Sequence, residues 1–126
     1  MTSTTAVPHP LPERLVELIA ERFRVLGEPM RIRLLDALRE GEASVQDLQT
    51  ATGASQQNVS KHLGVLARAG LVSRRKRGNY AVYEIADHGV FELCELVCGG
   101  MRRQFEALDA VLPAGAAGGT AVTLTG

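Results

Sequence analysis

Apolar residues recur three and four positions apart in blocks separated by glycine and proline, the pattern of short amphipathic helices. From about Pro12, the residues Leu15, Leu18, Ile19, Phe23 and Leu26 form the first block, which Gly27 stops. Pro29 suits the first turn of a second helix, with Ile32, Leu35 and Leu38 on one face, Leu34 beside them, and Gly41 closing it. Ser44, with Asp47 three residues on, approximates a capping box for a third helix. Its inner face is Val45, Leu48 and Ala51, and it ends at Gly53. Only Ala54 and Ser55 separate it from SQQNVSKHLGVL, residues 55–66. There Ser55 stands as an N-cap, and Val59, Leu63 and Leu66, with Val65 alongside, form one helical face. Gln56, Gln57, Asn58, Ser60, Lys61 and His62 are assigned to the other face. Gly70 ends this fourth helix.

The period then changes. Val72, Val82, Tyr83 and Ile85 favour strand, and Gly78-Asn79 marks a two-residue turn, so LVSRRKRGNYAVYEI predicts a β-hairpin. From about Asp87 to Leu112 a last helix is predicted by a long apolar stripe at 3/4 spacing: Val90, Leu93, Cys94, Val97, Met101, Phe105, Leu108 and Leu112. Residues 1–10 and 113–126 read as disordered tails around one domain spanning 11–112, in keeping with a chain of 126 residues. The fold class is mainly α with a β-hairpin.

Charge sharpens this picture locally. The formal net charge is zero, yet between Asp47 and Glu84 there is no acid and there are six bases: Lys61, Arg68, Arg74, Arg75, Lys76 and Arg77. Helix, glycine-containing turn, helix is the arrangement in which the second helix reads a DNA major groove. Amides pair bidentately with adenine edges, and hydroxyls and lysine reach phosphates. We therefore expect Gln56, Gln57, Asn58 and Ser60 at bases or nearby phosphates, with the N-cap Ser55 also counted among the DNA-binding residues. Lys61 and His62 would favour phosphates, with inward packing as the alternative for His62. The four like charges from Arg74 to Arg77 repel one another unless something anionic is near, so the hairpin reads as a wing that grips DNA through Arg75, Lys76, Arg77 and Tyr80. A solvated hairpin tip is the plainer alternative. Arg31 and Arg33 could touch a phosphate or simply be solvated.

The stripe of the last helix is too long for the core of one small domain and resembles a seam for a partner helix. With the first helix it suggests a two-fold dimer through Leu15, Leu18, Val90, Leu93, Val97, Met101, Phe105 and Leu108, which would place two reading helices on half-sites about one DNA turn apart. No signal peptide or membrane span is evident, so a cytoplasmic protein is the default. No glycine-rich phosphate loop, Ser-His-Asp set or CxxC motif supports an enzyme. A winged helix serving protein interaction is disfavoured by the basic wing and the acid-free reading face.

FRVLGEPMRIRLLDAL, DLQTATGASQQNVSKHLGVLARAGLV and RRKRGNYAVYEI together resemble the ArsR/SmtB family of bacterial winged-helix repressors, from about Phe23 to Phe105. The resemblance implies four helices, a hairpin and a fifth helix, assembled as a homodimer that blocks a promoter on double-stranded operator DNA and lets go when an inducer binds. The family's sensing sites carry over poorly. A Cys-x-Cys at the start of the third helix is replaced by Ser44 and Gln46. In the site of the last helix Asp87 survives, but the other matching positions are Gly89, Gly100 and Arg103, with His88 one place out of register.

Cys94 and Cys98, spaced i, i+4, share a helix face beside the predicted seam. They could chelate a soft metal or metalloid such as As(III), Cd(II) or Zn(II), could undergo oxidation or persulfide chemistry, or could be small buried hydrophobes. Glu92 and Glu95 flank Cys94 and no basic residue lies within a turn, so nothing nearby promotes an unusually reactive thiolate; this favours metal over oxidation.

Overall fold

The computed structural model describes residues 6–111, with the side chains of Leu108, Asp109 and Val111 excepted. The expected tail at 113–126, Leu112 and the first five residues of the N-terminal tail lie outside the described residues, as does the side chain of Leu108, assigned above to the dimer seam. The chain divides into two compact units, one up to Asp87 and one from His88.

The first unit contains α1 (Glu13–Leu26), α2 (Pro29–Ala37), a single 3-10 turn (Leu38–Glu40), β1 (Ala43–Ser44), α3 (Val45–Thr52), α4 (Gln56–Arg68), β2 (Val72–Arg77) and β3 (Tyr80–Ile85). Local chemistry sets most of these boundaries. Pro12 precedes α1, and Pro29 occupies the first turn of α2, where its missing N–H costs nothing. The Ser44–Asp47 capping box is complete: Ser44 Oγ accepts from the Asp47 N–H and Asp47 Oδ2 accepts from the Ser44 N–H, both at 3.0 Å. Gly53 ends α3 at φ +76°, in the left-handed region open to glycine, and its N–H reaches Gln49 O at 2.7 Å. Two residues later Ser55 Oγ accepts from the Asn58 N–H at 3.1 Å and starts α4.

The core is aliphatic. Leu34 and Leu35 of α2 pack with α3 and α4, which contribute Leu48, Val59, Leu63 and Leu66, Leu38 of the 3-10 turn is buried beside α2 and β3, and Leu71, Val72, Val82 and Ile85 bury the root of the hairpin. Truncating one such fully buried leucine to alanine costs about 2–5 kcal/mol. The hairpin pairs Val72 with Ile85 through Arg77 with Tyr80, and Gly78 turns at φ +62° with no positive φ at Asn79, the signs of a type II′ turn. One element escaped the sequence pattern. The two-residue β1 pairs antiparallel with β3, Ala43 with Tyr83 and Ser44 with Val82, so the sheet has three strands in the order β1-β3-β2. Two residues are too few to show a strand period.

The second unit is α5 (Gly89–Val111), 23 residues in one helix, about 35 Å long. No helix of the described residues is long and apolar enough to cross a membrane.

Candidate nucleic-acid interface

The helix-turn-helix is α3, the Gly53-Ala54-Ser55 turn, and α4. Because Val59, Leu63 and Leu66 are fully buried, they fix which side of α4 is left outward. That side presents Gln56, Gln57, Ser60 and Lys61, all exposed, and a half-buried Asn58. Among the described residues no hydrogen bond or ion pair occupies these five side chains. Ser55 is exposed and its oxygen serves as the cap, while its hydroxyl hydrogen stays available to donate.

His62 does not belong with them. It is buried, 6 % exposed, and its Nδ1 lies 3.1 Å from Arg31 Nη1. The reason is positional. Residue 62 follows Val59 by three, so it sits on the apolar face, and its polarity is answered inside the protein. Arg31 is corrected with it, being half-buried and engaged internally, whereas Arg33 is exposed.

The wing carries its charge differently. Arg75 and Arg77 both pair with Glu42, which precedes β1, the latter at 2.6 Å, and Arg75 also reaches Glu84 at 3.4 Å. Partial desolvation raises the Glu42 pKa, but the hydrogen bonds and charges of Arg75 and Arg77 outweigh it and hold the carboxyl below its ordinary value. Arg74 and Lys76 alternate with these arginines along the strand and are exposed without such partners among the described residues. Tyr80 is 58 % exposed at the start of β3. An open groove of about 640 Å³ joins the two regions, lined by Ser44, Gln46 and Gln49 of the α3 end, Gln56 of α4 and Tyr80 and Ala81 of the wing. Gln49 and Glu42 were not singled out from the sequence, and Gln46 and Arg74 were not assigned there as DNA contacts. The two amides, Gln46 and Gln49, carry suitable chemistry, but only the fold shows that they line this groove.

A helix-turn-helix domain model matches residues 26–75. The HTH-type transcriptional regulator Rv0081 of Mycobacterium tuberculosis is 40 % identical over 110 residues, covering 86 % of this chain and 96 % of that one. Its crystal structure superposes with a TM-score of 0.69 at 38 % identity, over 76 % of this chain and 97 % of that one. The HTH-type transcriptional repressor SmtB of the same organism is 36 % identical over 81 residues, 64 % of this chain and 60 % of that one. The homodimeric winged helix-turn-helix domain of Mb0332 from Mycobacterium bovis, described as a possible ArsR-family regulator, matches with a TM-score of 0.66 at 30 % identity, over 79 % and 95 % of the two chains. The chain belongs to the ArsR/SmtB family. It is a transcriptional regulator with a DNA-binding winged helix-turn-helix.

Metal sites of the family's two patterns do not fit this ArsR/SmtB protein. Ser44 Oγ is committed to the α3 cap, and Asp87 lies 3.5 Å from Arg22. Gly89 and Gly100 have no donor side chain, and Arg103 is a cation. Among the described residues no group of three or more His, Cys, Asp and Glu could hold an ion. Cys94 is a half-buried free thiol and Cys98 an exposed one.

Several residues expected in a dimer seam are outward. In α1 Leu18 is exposed and Leu15 half-buried; in α5 Val97 and Met101 are exposed, and Leu93 and Phe105 half-buried. Val90, also expected in the seam, is 4 % exposed. Val16, Ile19 and Phe23 of α1 and Leu96 of α5 are exposed apolar residues outside the expected set.

Proposed function

We propose that this ArsR/SmtB regulator is a homodimeric repressor that reads double-stranded operator DNA with α4 and grips the flanking backbone with the wing. The observation that carries this reading is the outward face of α4, acid-free and unengaged among the described residues, next to a basic hairpin. Gln57 and Gln56 would meet base edges, Asn58 and Ser60 bases or nearby phosphates, and Ser55 and Lys61 phosphates. Arg75, Lys76, Arg77 and Tyr80 would serve the wing, with Arg74 added on grounds of exposure. Dimerisation would cover the apolar residues of α1 and α5, including Leu15, Leu18, Leu93, Val97, Met101 and Phe105, a reading supported by the homodimeric relative. The test is binding to the DNA upstream of its own gene against random duplex. A dimer using about eight phosphates should show a log-log salt slope near −7. A slope near zero, or no preference for any upstream fragment, would sink the reading.

Release by an inducer at Cys94 and Cys98 belongs to the same proposal. An i, i+4 pair on one helix face offers two thiolates to a soft ion, and a second protomer could add a third ligand. Oxidation or persulfide chemistry at the exposed Cys98 is the second reading, favoured by its access to solvent. Binding is measured in reductant, with peroxide or persulfide, and with As(III), Cd(II) or Zn(II). Release by one agent, absent in the Cys94→Ser, Cys98→Ser double variant, would identify the chemistry. Indifference to all of them would leave both cysteines as packing residues.

A further inference from the structure

The strongest unassigned feature is the polar node inside the first unit. The end of α1 leaves its last carbonyls without helical partners. Arg31, in the first turn of α2, reaches two of them: its Nε donates to Val25 O at 2.6 Å and its Nη2 to Arg24 O at 3.4 Å, a carbonyl that also accepts from the Gly27 N–H at 3.3 Å. The same guanidinium turns Nη1 to His62 Nδ1 on α4 at 3.1 Å. Glu28 completes the node. It caps α2 by accepting from the Met30 N–H at 2.7 Å and the Arg31 N–H at 3.3 Å, and its Oε1 stands 3.9 Å from His62 Nε2. One planar cation thus holds α1, α2 and α4.

We propose that Arg31 and His62 are positioning residues, which set the rotation of α4 about its axis and thereby the aim of its DNA-reading face. The proposal rests on the DNA-binding reading above. Its physical basis is directionality. Val59, Leu63 and Leu66 fix the depth of α4, but aliphatic contacts are non-directional and tolerate small rotations. A hydrogen bond to a buried ring does not. For a helix of about 5–6 Å radius with side chains, a turn of about 10° moves a side-chain tip by roughly 1 Å. That is enough to spoil a bidentate amide–base pair, whose productive geometry has a tolerance of about 0.5 Å. Lys61 adjoins His62 in the chain, and Gln57 lies one turn before Lys61, so both follow the rotation directly. The chemistry also fixes the ring. Guanidinium nitrogens only donate, so Nδ1 must accept, and the proton of His62 resides on Nε2.

The experiment compares His62→Leu, His62→Asn, Arg31→Gln and the Arg31→Gln, His62→Leu double variant with wild type. The probes are its own upstream duplex and a shuffled duplex of equal length. Folding is checked at the assay temperature by circular dichroism. His62→Leu should lower the preference for the upstream duplex about five- to tenfold, the scale of one buried hydrogen bond. Arg31→Gln should do the same, and the double variant should fall no further, as for partners in one contact. Asparagine, whose Oδ1 can accept where Nδ1 does, should recover most of the preference. An unchanged preference in folded His62→Leu, or losses that multiply in the double variant, would overturn the proposal. If His62→Leu does not fold, Arg31→Lys decides, since it keeps the charge but not the three-way fork. A reduced preference supports the couple and a wild-type preference overturns it. Nitrogen NMR of His62 in the DNA-free protein is independent of any DNA reading. A proton on Nε2 supports the couple, and one on Nδ1 overturns it. A wild-type protein without DNA preference would count against the functional reading, while the ring tautomer would still test the node.

Discussion

The outward face of α4 and the wing both border one groove, but they manage their polar groups in opposite ways. The helix shows neutral amides and a hydroxyl with one lysine, and nothing inside the protein competes for them among the described residues. The wing shows four consecutive cations, and Glu42 with Glu84 has already taken two of them. Neutral amides lose little by waiting in water and gain only where a base edge fits, so on the proposed reading they would discriminate. Cations attract any phosphate at long range, so a wing left fully charged would hold random DNA as readily as the right sequence. Internal acids temper it. If the proposed reading holds, the difference teaches that specificity would be protected at the wing as well as written on the helix.

The largest effect should come from removing a reader. Gln57→Ala should weaken binding to the preferred duplex by about 5- to 150-fold, the scale of one bidentate base contact, and leave random DNA nearly unchanged. Equal losses on both in an anisotropy titration would erase the distinction between the two regions. Next, charge reversal at Lys76 or Arg77 should weaken cognate and random binding together and reduce the salt slope by about one per lost phosphate contact in each protomer. A slope that does not move would take the wing off the DNA. Smaller and opposite in sign, Glu42→Gln should free Arg75 and Arg77, tighten random binding a few-fold and steepen the salt slope by about one to two per protomer. Weaker binding instead would mean that Glu42 mainly holds the wing in shape.

The same carboxyl gives a pH test. Its folded pKa is lowered, so its contribution to stability is complete above the ordinary value of 4.5 and disappears as pH falls through the lower folded value. Acid unfolding of Glu42→Gln should lack that step. Smallest of all, Ser55→Ala should lower stability by about 1 kcal/mol through the lost cap, read as a shift of the thermal midpoint.

How much of this was legible in the sequence follows the range of each interaction. Ser44 with Asp47, Gly53, Ser55 and the Gly78-Asn79 turn act within four residues of themselves, and the elements they bound appear where the pattern put them. His62 was misplaced because its polarity outweighed its position, although a spacing of three from Val59 assigns it to the apolar face. Glu42 lies 33 residues from Arg75 and Arg31 lies 31 from His62, so neither partnership leaves a local trace. Val90 fits the stripe of α5 as well as Val97 does, and periodicity alone does not carry the difference between 4 % and 51 % exposure.

One consequence of the unengaged α4 face concerns descent. Gln56, Gln57, Ser60 and Lys61 cap no helix, fill no core and close no ion pair among the described residues. The parts that make the segment fold, Gly53, Ser55 and the buried aliphatics, are different residues. A duplicated gene could therefore exchange the four outward side chains, one at a time and with little loss of stability, and acquire a new address in the genome while inheriting the scaffold unchanged.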